Sequence, residues 1–231
     1  MKVIIVSDIH GNYEALKALD KLENYDKMIF LGDAVDYGPQ PAEVIDFLRS
    51  ESDINIMGNH DYAVAYNTSC NCSADMLQLS ELTRREISLK LLSENDINFI
   101  KTFKNNYDFQ IDNLNLYLTH GSPYNNLNGY VFASEAEKIF RDKEFFNKYD
   151  YIVLGHTHFM MFYRNKIINP GSLGQPRDGI LKPMYAVLDT SDNSINFRRI
   201  SSYNSAKIIN LLDGYLNNFT EELNRLKKFY Q

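Results

Sequence analysis

Tryptophan is absent from the 231 residues, and cysteine occurs only twice. Cys70 and Cys72 are too few for a disulfide framework, and Cys-x-Cys lacks the two-residue gap of a zinc knuckle. Both are expected to be plain loop thiols. Long apolar runs are missing too: nothing approaches the roughly 18–20 residues that a membrane span needs. The first run, Val3-Ile4-Ile5-Val6, stops at Ser7-Asp8, too short for the apolar part of an export signal. A cytoplasmic location is therefore the expectation. Excess positive charge is also lacking. A net charge of −6 argues against a strong nucleic-acid surface, which wants clustered Lys and Arg. It leaves open a phosphate substrate met through bound cations.

What is present fits a globular chain, with 44% hydrophobic and 23% charged residues. A chain of this length buries roughly 70–75% of its unfolded surface, so one domain spanning 1–231 is expected. Apolar runs at 2–6, 27–31 and 54–57 alternate with helical patterns at 13–22 and 41–49. Such alternation argues an α/β layered fold with a parallel core. Consecutive helices read across 73–103, within a helical insertion at about 62–103. Strand pairs follow at 106–111 with 114–119, 159–163 with 166–168, and 184–189 with 195–200. Between them lie a helix near 134–146 and a strand at 151–154. The tail, about 205–229, reads as one amphipathic helix packed on a sheet. The hairpin-rich latter half predicts a second sheet of mixed direction.

The five histidines carry the functional signal. His10, His60, His120, His156 and His158 each follow the end of an apolar strand, and none is expected in a helix or on a solvent-facing pattern. The strand at 27–31 ends likewise in Gly32-Asp33-Ala34-Val35-Asp36. Ligands of α/β sheets bind beyond the carboxyl ends of the strands. Five strand ends therefore bring Asp8, His10, Asp33, Asn59, His60, His120, His156 and His158 to one rim. Singly, each fragment reads as a turn or a satisfied polar pair. Jointly they offer imidazole, carboxylate and amide donors that suit borderline divalent metals such as Mn, Fe, Zn or Ni. Eight groups are too many for one ion and right for two.

Asp8-x-His10, Gly32-Asp33-x-x-Asp36, Gly58-Asn59-His60-Asp61, His120 and Gly155-His156-x-His158 resemble, in order, the signature of the calcineurin-like metallophosphoesterases. The stretch Asn169–Gly179 is similar to the small prokaryotic phosphodiesterase-like branch. The resemblance implies a four-layer αββα sandwich with two facing mixed β-sheets. It implies a dinuclear site with Mn the favoured metal: Asp8, His10, Asp33 and His158 on one ion, and Asp33, Asn59, His120 and His156 on the other. A hydroxide bridging the ions would attack phosphorus. His60, steered by Asp61, would meet the substrate and protonate the leaving oxygen, with Asn59 also near the substrate. Gly155 would let the chain turn tightly beside the paired histidines.

Other positions are assigned from the residues themselves. Asn12 is expected to cap the helix at 13–22, Asp36 to orient a ligand or loop, and Arg177 to form either a surface ion pair or a phosphate contact. Tyr62, Tyr66, Phe159, Phe162 and Tyr163 read as core and rim. Protein-phosphatase and dinucleoside-polyphosphate relatives carry an arginine where this chain has Tyr37, and typically glutamate where it has Asp61. That difference favours small phosphodiesters over phosphomonoesters, phosphoproteins or dinucleoside polyphosphates as substrates. A catalytically silent scaffold would have lost ligand histidines or the counterpart of His60, and all are present. The oligomeric state is left open.

Overall fold

The computed structural model describes all 231 residues. Strand β1 (Lys2–Val6) leads through helix α1 (Tyr13–Leu22) to β2 (Lys27–Phe30), α2 (Pro41–Glu51) and β3 (Ile54–Asn55). Helices α3 (Asn59–Tyr66) and α4 (Ala74–Thr83) follow. A π-helical turn at Arg84–Ser88 then leads to α5 (Leu89–Leu91) and α6 (Glu94–Ile100). Next come β4 (Asn106–Ile111), β5 (Leu114–Thr119), α7 (Ala133–Arg141), α8 (Lys143–Lys148), β6 (Tyr151–Val153), β7 (Met160–Tyr163) and β8 (Ile167–Pro170). The chain closes with β9 (Met184–Asp189), β10 (Ser194–Arg199), α9 (Ser205–Leu216) and α10 (Thr220–Lys227).

Two five-stranded sheets result, ordered β10-β9-β1-β2-β3 and β4-β5-β6-β8-β7. In the first sheet the parallel strands β1-β2-β3 form one side and the antiparallel β9 and β10 the other; in the second a parallel centre, β5-β6-β8, is flanked by antiparallel β4 and β7. The period-2 alternation of strand side chains explains the layering. Val3 and Ile5 of β1 face Leu116 and Leu118 of β5 in a core between the sheets. Ile4 and Val6 point the other way, onto Leu16, Leu19, Val44 and Leu48 of α1 and α2. Tyr117, Ile152 and Ile167 do the same for α7 and α8 on the second sheet. The expected αββα sandwich is thus observed.

The tail differs from expectation. It is two helices, and it packs on other helices rather than on a sheet. Ile208, Leu212 and Leu216 form an i, i+4 stripe that meets Leu79, Leu82 and Ile87 of the insertion, together with Tyr37. The expected helix near 134–146 is also two helices, and Asp142 begins the second by accepting from Phe145 N at 3.2 Å.

Candidate metal centre

All the rim residues sit just beyond the carboxyl ends of β1, β2, β3, β5 and β6. Their backbone is unusual. Asp8, His10, Asp33, Asp36, Tyr37, His156 and His158 all have positive φ, between 46° and 68°. Such residues cost roughly 1–3 kcal/mol each and persist only where the surroundings over-determine them. Here they are pinned by main-chain bonds across strands: Asp8 N–H donates to Gly32 O and His10 N–H to Asp33 O, both at 2.9 Å. Gly155 serves differently from expectation. Its φ is not left-handed, but a Cβ there would lie 2.0 Å from Ser7 Oγ, so glycine is required for close approach. The sharp turns fall on His156 and His158 themselves.

The tautomers can be worked out from the bonds. His10 Nδ1 faces Val35 O at 3.0 Å, His120 Nδ1 faces Leu31 O at 2.8 Å, and His158 Nδ1 faces Gln175 O at 2.7 Å. A carbonyl can only accept, so each ring carries its proton on Nδ1 and turns Nε2 inward. His10 Nε2 and His158 Nε2 then oppose each other at 3.3 Å, with Asp8 Oδ1 3.2 Å from the latter. Burial holds both rings down, His10 to about 3, so their lone pairs are free. Asp8 Oδ1 and His156 Nε2 have no partner although buried. Nearby, His120 Nε2 lies 3.1 Å from Asn59 Oδ1, 3.1 Å from His156 Nδ1 and 3.3 Å from Asp33 Oδ2. Burial lowers His120, yet the Asp33 carboxylate outweighs it and raises the ring to about 9. Positive charge is what this spot demands.

The His10 and His158 lone pairs face each other beside Asp8, while the Asp33 group draws a positive charge, a proton on His120 or a cation in its place, so both groups suit cations at their centres. One group is Asp8, His10 and His158; the other is Asp33, His120 and His156. Asp33 lies between them: its Oδ1 accepts from His60 N–H at 2.9 Å, leaving Oδ2 to face His120 and, at 3.8 Å, His10 Nε2. Asn59 Nδ2 donates to Cys70 O at 2.9 Å, which turns its oxygen to the centre. Every residue expected as a ligand is therefore brought to one place, and the donor set fits two borderline divalent ions.

His60 is oriented by Asp36 and not by Asp61. Its Nδ1 lies 3.0 Å from Asp36 Oδ2 and 3.1 Å from Ser80 Oγ, leaving Nε2 toward Asp33 at 4.0 Å. Asp36 also accepts from Arg84 Nη2 at 2.7 Å and from the Ser80 and Ser88 hydroxyls. Asp61 instead accepts from the backbone N–H groups of Asp33, Ala34 and Gly58, at 2.8, 2.8 and 3.1 Å. The reason is helical geometry: residues 60 and 61 are adjacent on α3, and i, i+1 side chains do not face each other. Asp61 braces the loop that carries Asp33. Burial and the Asp33 charge push its carboxyl up to about 7.

Arg177 is half-buried and lines the cleft with Tyr37, His60, Tyr130, His156 and His158. Nη2 donates to Gln175 Oε1 at 3.1 Å, while the buried Nε is unpartnered. Asn12 caps α1 as expected, accepting from Ala15 N–H at 3.0 Å. The aromatic residues do not form one cluster. Tyr62 pairs with Tyr66, Phe159 with Phe132 and Phe162 with Phe197, all near the surface. Cys70 and Cys72 do lie in a loop, as expected, but they do not stand apart: the loop brings their two sulfurs together. Ser80 and Arg84 carried no motif that could have singled them out.

The profile described as the calcineurin-like phosphoesterase superfamily domain matches residues 1–193. The chain is 29% identical over 220 residues to an uncharacterised protein of Methanocaldococcus jannaschii, covering 86% of each. It is 27% identical over 152 residues to the symmetrical bis(5'-nucleosyl)-tetraphosphatase of Psychromonas ingrahamii, covering 63% of this chain and 54% of that one, about half its length. Two solved structures share the fold across nearly the whole chain. A metallophosphoesterase from Sphaerobacter thermophilus superposes with TM-score 0.77 at 24% identity, covering 99% of this chain and 100% of that one. A hypothetical protein of Pyrococcus horikoshii superposes with TM-score 0.78 at 20% identity, covering 98% and 97%.

Proposed function

The chain belongs to the calcineurin-like phosphoesterase superfamily, and from that premise we propose that it hydrolyses small phosphodiesters at a centre of two divalent metal ions, Mn favoured. The observation that carries the reading is the convergence of inward-turned Nε2 atoms with Asp8, Asp33 and Asn59. Asp8, His10, Asp33 and His158 would hold one ion; Asp33, Asn59, His120 and His156 would hold the other. When bound, the ions supply the activated water and neutralise phosphoryl oxygens.

The remaining work falls to the chain. His60, its Nδ1–H donated to Asp36, presents Nε2 to the cleft, where it can protonate the departing oxygen. General acid catalysis of this kind contributes about 10²–10⁴ in rate. A diester needs it, because its alkoxide leaves poorly without a proton. The unpartnered Nε of Arg177 is available to a phosphoryl oxygen. Tyr37 supplies no charge for a second ionised oxygen, which favours the singly charged diester. A cavity of about 340 Å³ beside Asn59, walled by Tyr62, Thr68, Asn71, Leu127 and Asn128, can take the leaving group. It lies at the lower end of small-ligand sites, roughly 300–1,000 Å³.

The similarity to a symmetrical bis(5'-nucleosyl)-tetraphosphatase supports a second reading, cleavage of a dinucleoside polyphosphate. The test is a panel on Mn-reconstituted protein: bis-nitrophenyl phosphate, nitrophenyl phosphate, a phosphopeptide and a dinucleoside tetraphosphate. The diester is expected to give the highest kcat/KM, with close to two metals per chain by elemental analysis. A higher kcat/KM on the tetraphosphate would install the second reading. A plateau at one metal with full activity would overturn the dinuclear one.

A further inference from the structure

The only two cysteines of the chain lie in the loop between α3 and α4, at the mouth of the cleft. Their Cα atoms are 5.3 Å apart, within the range a disulfide spans, and their sulfurs meet. Cys70 is buried, while Cys72 is half-buried and lines the cleft with Tyr37, His60 and Arg177. Each half of the pair touches the catalytic apparatus. Cys70 O is the acceptor that turns the Asn59 amide toward the metal centre, at 2.9 Å. Cys70 Sγ is 3.5 Å from Ser80 Oγ, the hydroxyl that also meets Asp36 and His60. Cys72 Sγ is 3.9 Å from the Tyr37 hydroxyl.

We propose that Cys70–Cys72 is a reversible dithiol–disulfide site whose state sets the metal affinity and turnover of the adjoining centre. The inference about turnover rests on the phosphoesterase reading above; that about thiol chemistry does not. Exchange needs an accessible sulfur, a leaving sulfur that can carry charge, and a path for the attacking thiolate. Cys72, facing the cleft, is the accessible sulfur. A thiolate of an external dithiol attacks Cys72 Sγ, the S–S bond breaks, and Cys70 leaves as a thiolate. Beside it stand the Ser80 hydroxyl and, bonded to that hydroxyl at 2.9 Å, the Arg84 guanidinium. The second thiolate of the reductant then displaces Cys72 and closes its own disulfide. Two electrons and two protons pass from the external dithiol to the pair. Oxidised glutathione closes the pair: one cysteine thiolate attacks it, releasing one glutathione thiolate and leaving a mixed disulfide, and the other cysteine then displaces the second glutathione.

The closed state is the one in which the Asn59–Cys70 and Ser80–His60 contacts are made. Opening it releases the loop that carries the Cys70 carbonyl. It also frees two thiols whose sulfurs lie within 4.8 Å of a His60 ring nitrogen, where, on losing their protons, they compete for that ring and for thiophilic metals. Reduction should therefore weaken the centre.

The experiment equilibrates Mn-loaded protein in oxidised and reduced glutathione mixtures. It reads three things: free thiols by alkylation and mass spectrometry, Mn affinity by calorimetry, and kcat/KM on bis-nitrophenyl phosphate. Reduction should expose two alkylatable thiols and lower Mn affinity by about 10-fold, the lower end for partners that orient a ligand. Turnover should fall in step. Cys70→Ser/Cys72→Ser should match the reduced protein and lose all glutathione dependence. Two thiols that stay alkylatable under every mixture would overturn the proposal. A pair that closes while Mn affinity stays constant would overturn it equally. The thiol and calorimetric readings need no substrate, so a wrong substrate class would appear only in the third.

Discussion

His10, His120 and His158 each give their Nδ1 proton to a main-chain carbonyl at a strand or loop end, whereas His60, its ring centre 5.1 Å from that of His10, faces the Asp36 side chain. These three candidate ligands are thus aimed by the backbone, which any sequence with this fold would supply. The candidate proton donor is aimed by side chains from elsewhere: Asp36 in the loop after β2, Ser80 from α4 and Arg84 from the π-turn. One side of the cleft should therefore tolerate change around it, and the other should be sensitive to substitutions far along the chain.

The comparison breaks most completely at Asp33, which lies between the two ligand groups. Asp33→Ala should lose both ions, a loss of affinity beyond the roughly 10–100-fold typical of outer partners. Elemental analysis after gel filtration checks it; retention of two metals would remove Asp33 from the centre. His60→Ala is expected to keep both ions and lose about 10²–10⁴ in kcat. Loss of metal there would make His60 a ligand instead.

Asp36→Asn sharpens the difference between the two sides. Metal content should hold while kcat falls by about 10–100-fold. Removing one partner of a buried ion pair also costs about 3–5 kcal/mol of stability, because Arg84 loses its carboxylate. Chemical denaturation measures that separately from turnover. The smallest effect is expected at Arg177→Ala. Taking the low end of the roughly 1.5–3 kcal/mol that a hydrogen bond to a charged group is worth, KM for diesters should rise by about 10-fold with kcat nearly unchanged. An unchanged KM would confine Arg177 to its bond with Gln175.

The backbone-aimed side was also the legible side. Apolar runs ending in Asp-x-His, Gly-Asp or Gly-His-x-His mark both the strands and what their ends deliver, so the sheets and the ligand histidines follow from local pattern. The side-chain-aimed region had no such marker. Ser80 and Arg84 lie in an ordinary helical stretch, and only tertiary packing brings them to Asp36. Asp61 misled for a different reason: the family resemblance assigned it to steer His60, and on α3 the helix turns the two adjacent side chains apart. The helix beginning at Asn59 read as a turn because Asn, His and Asp are poor helix formers. Asp61 at its third position bonds back to Gly58 N–H and makes the start possible. The cysteines were judged by count and spacing, which carry no information about a loop that brings two sulfurs together.

Because every histidine of the chain belongs to this cleft, the imidazole region of a nitrogen-15 NMR spectrum is a spectrum of the site alone. Three of the five rings hold an Nδ1 proton against a buried carbonyl, shielded from bulk water. Those protons should exchange slowly enough to appear as separate resonances, each naming its tautomer. A protein labelled only at histidine would then report metal arrival ring by ring, with no background to subtract.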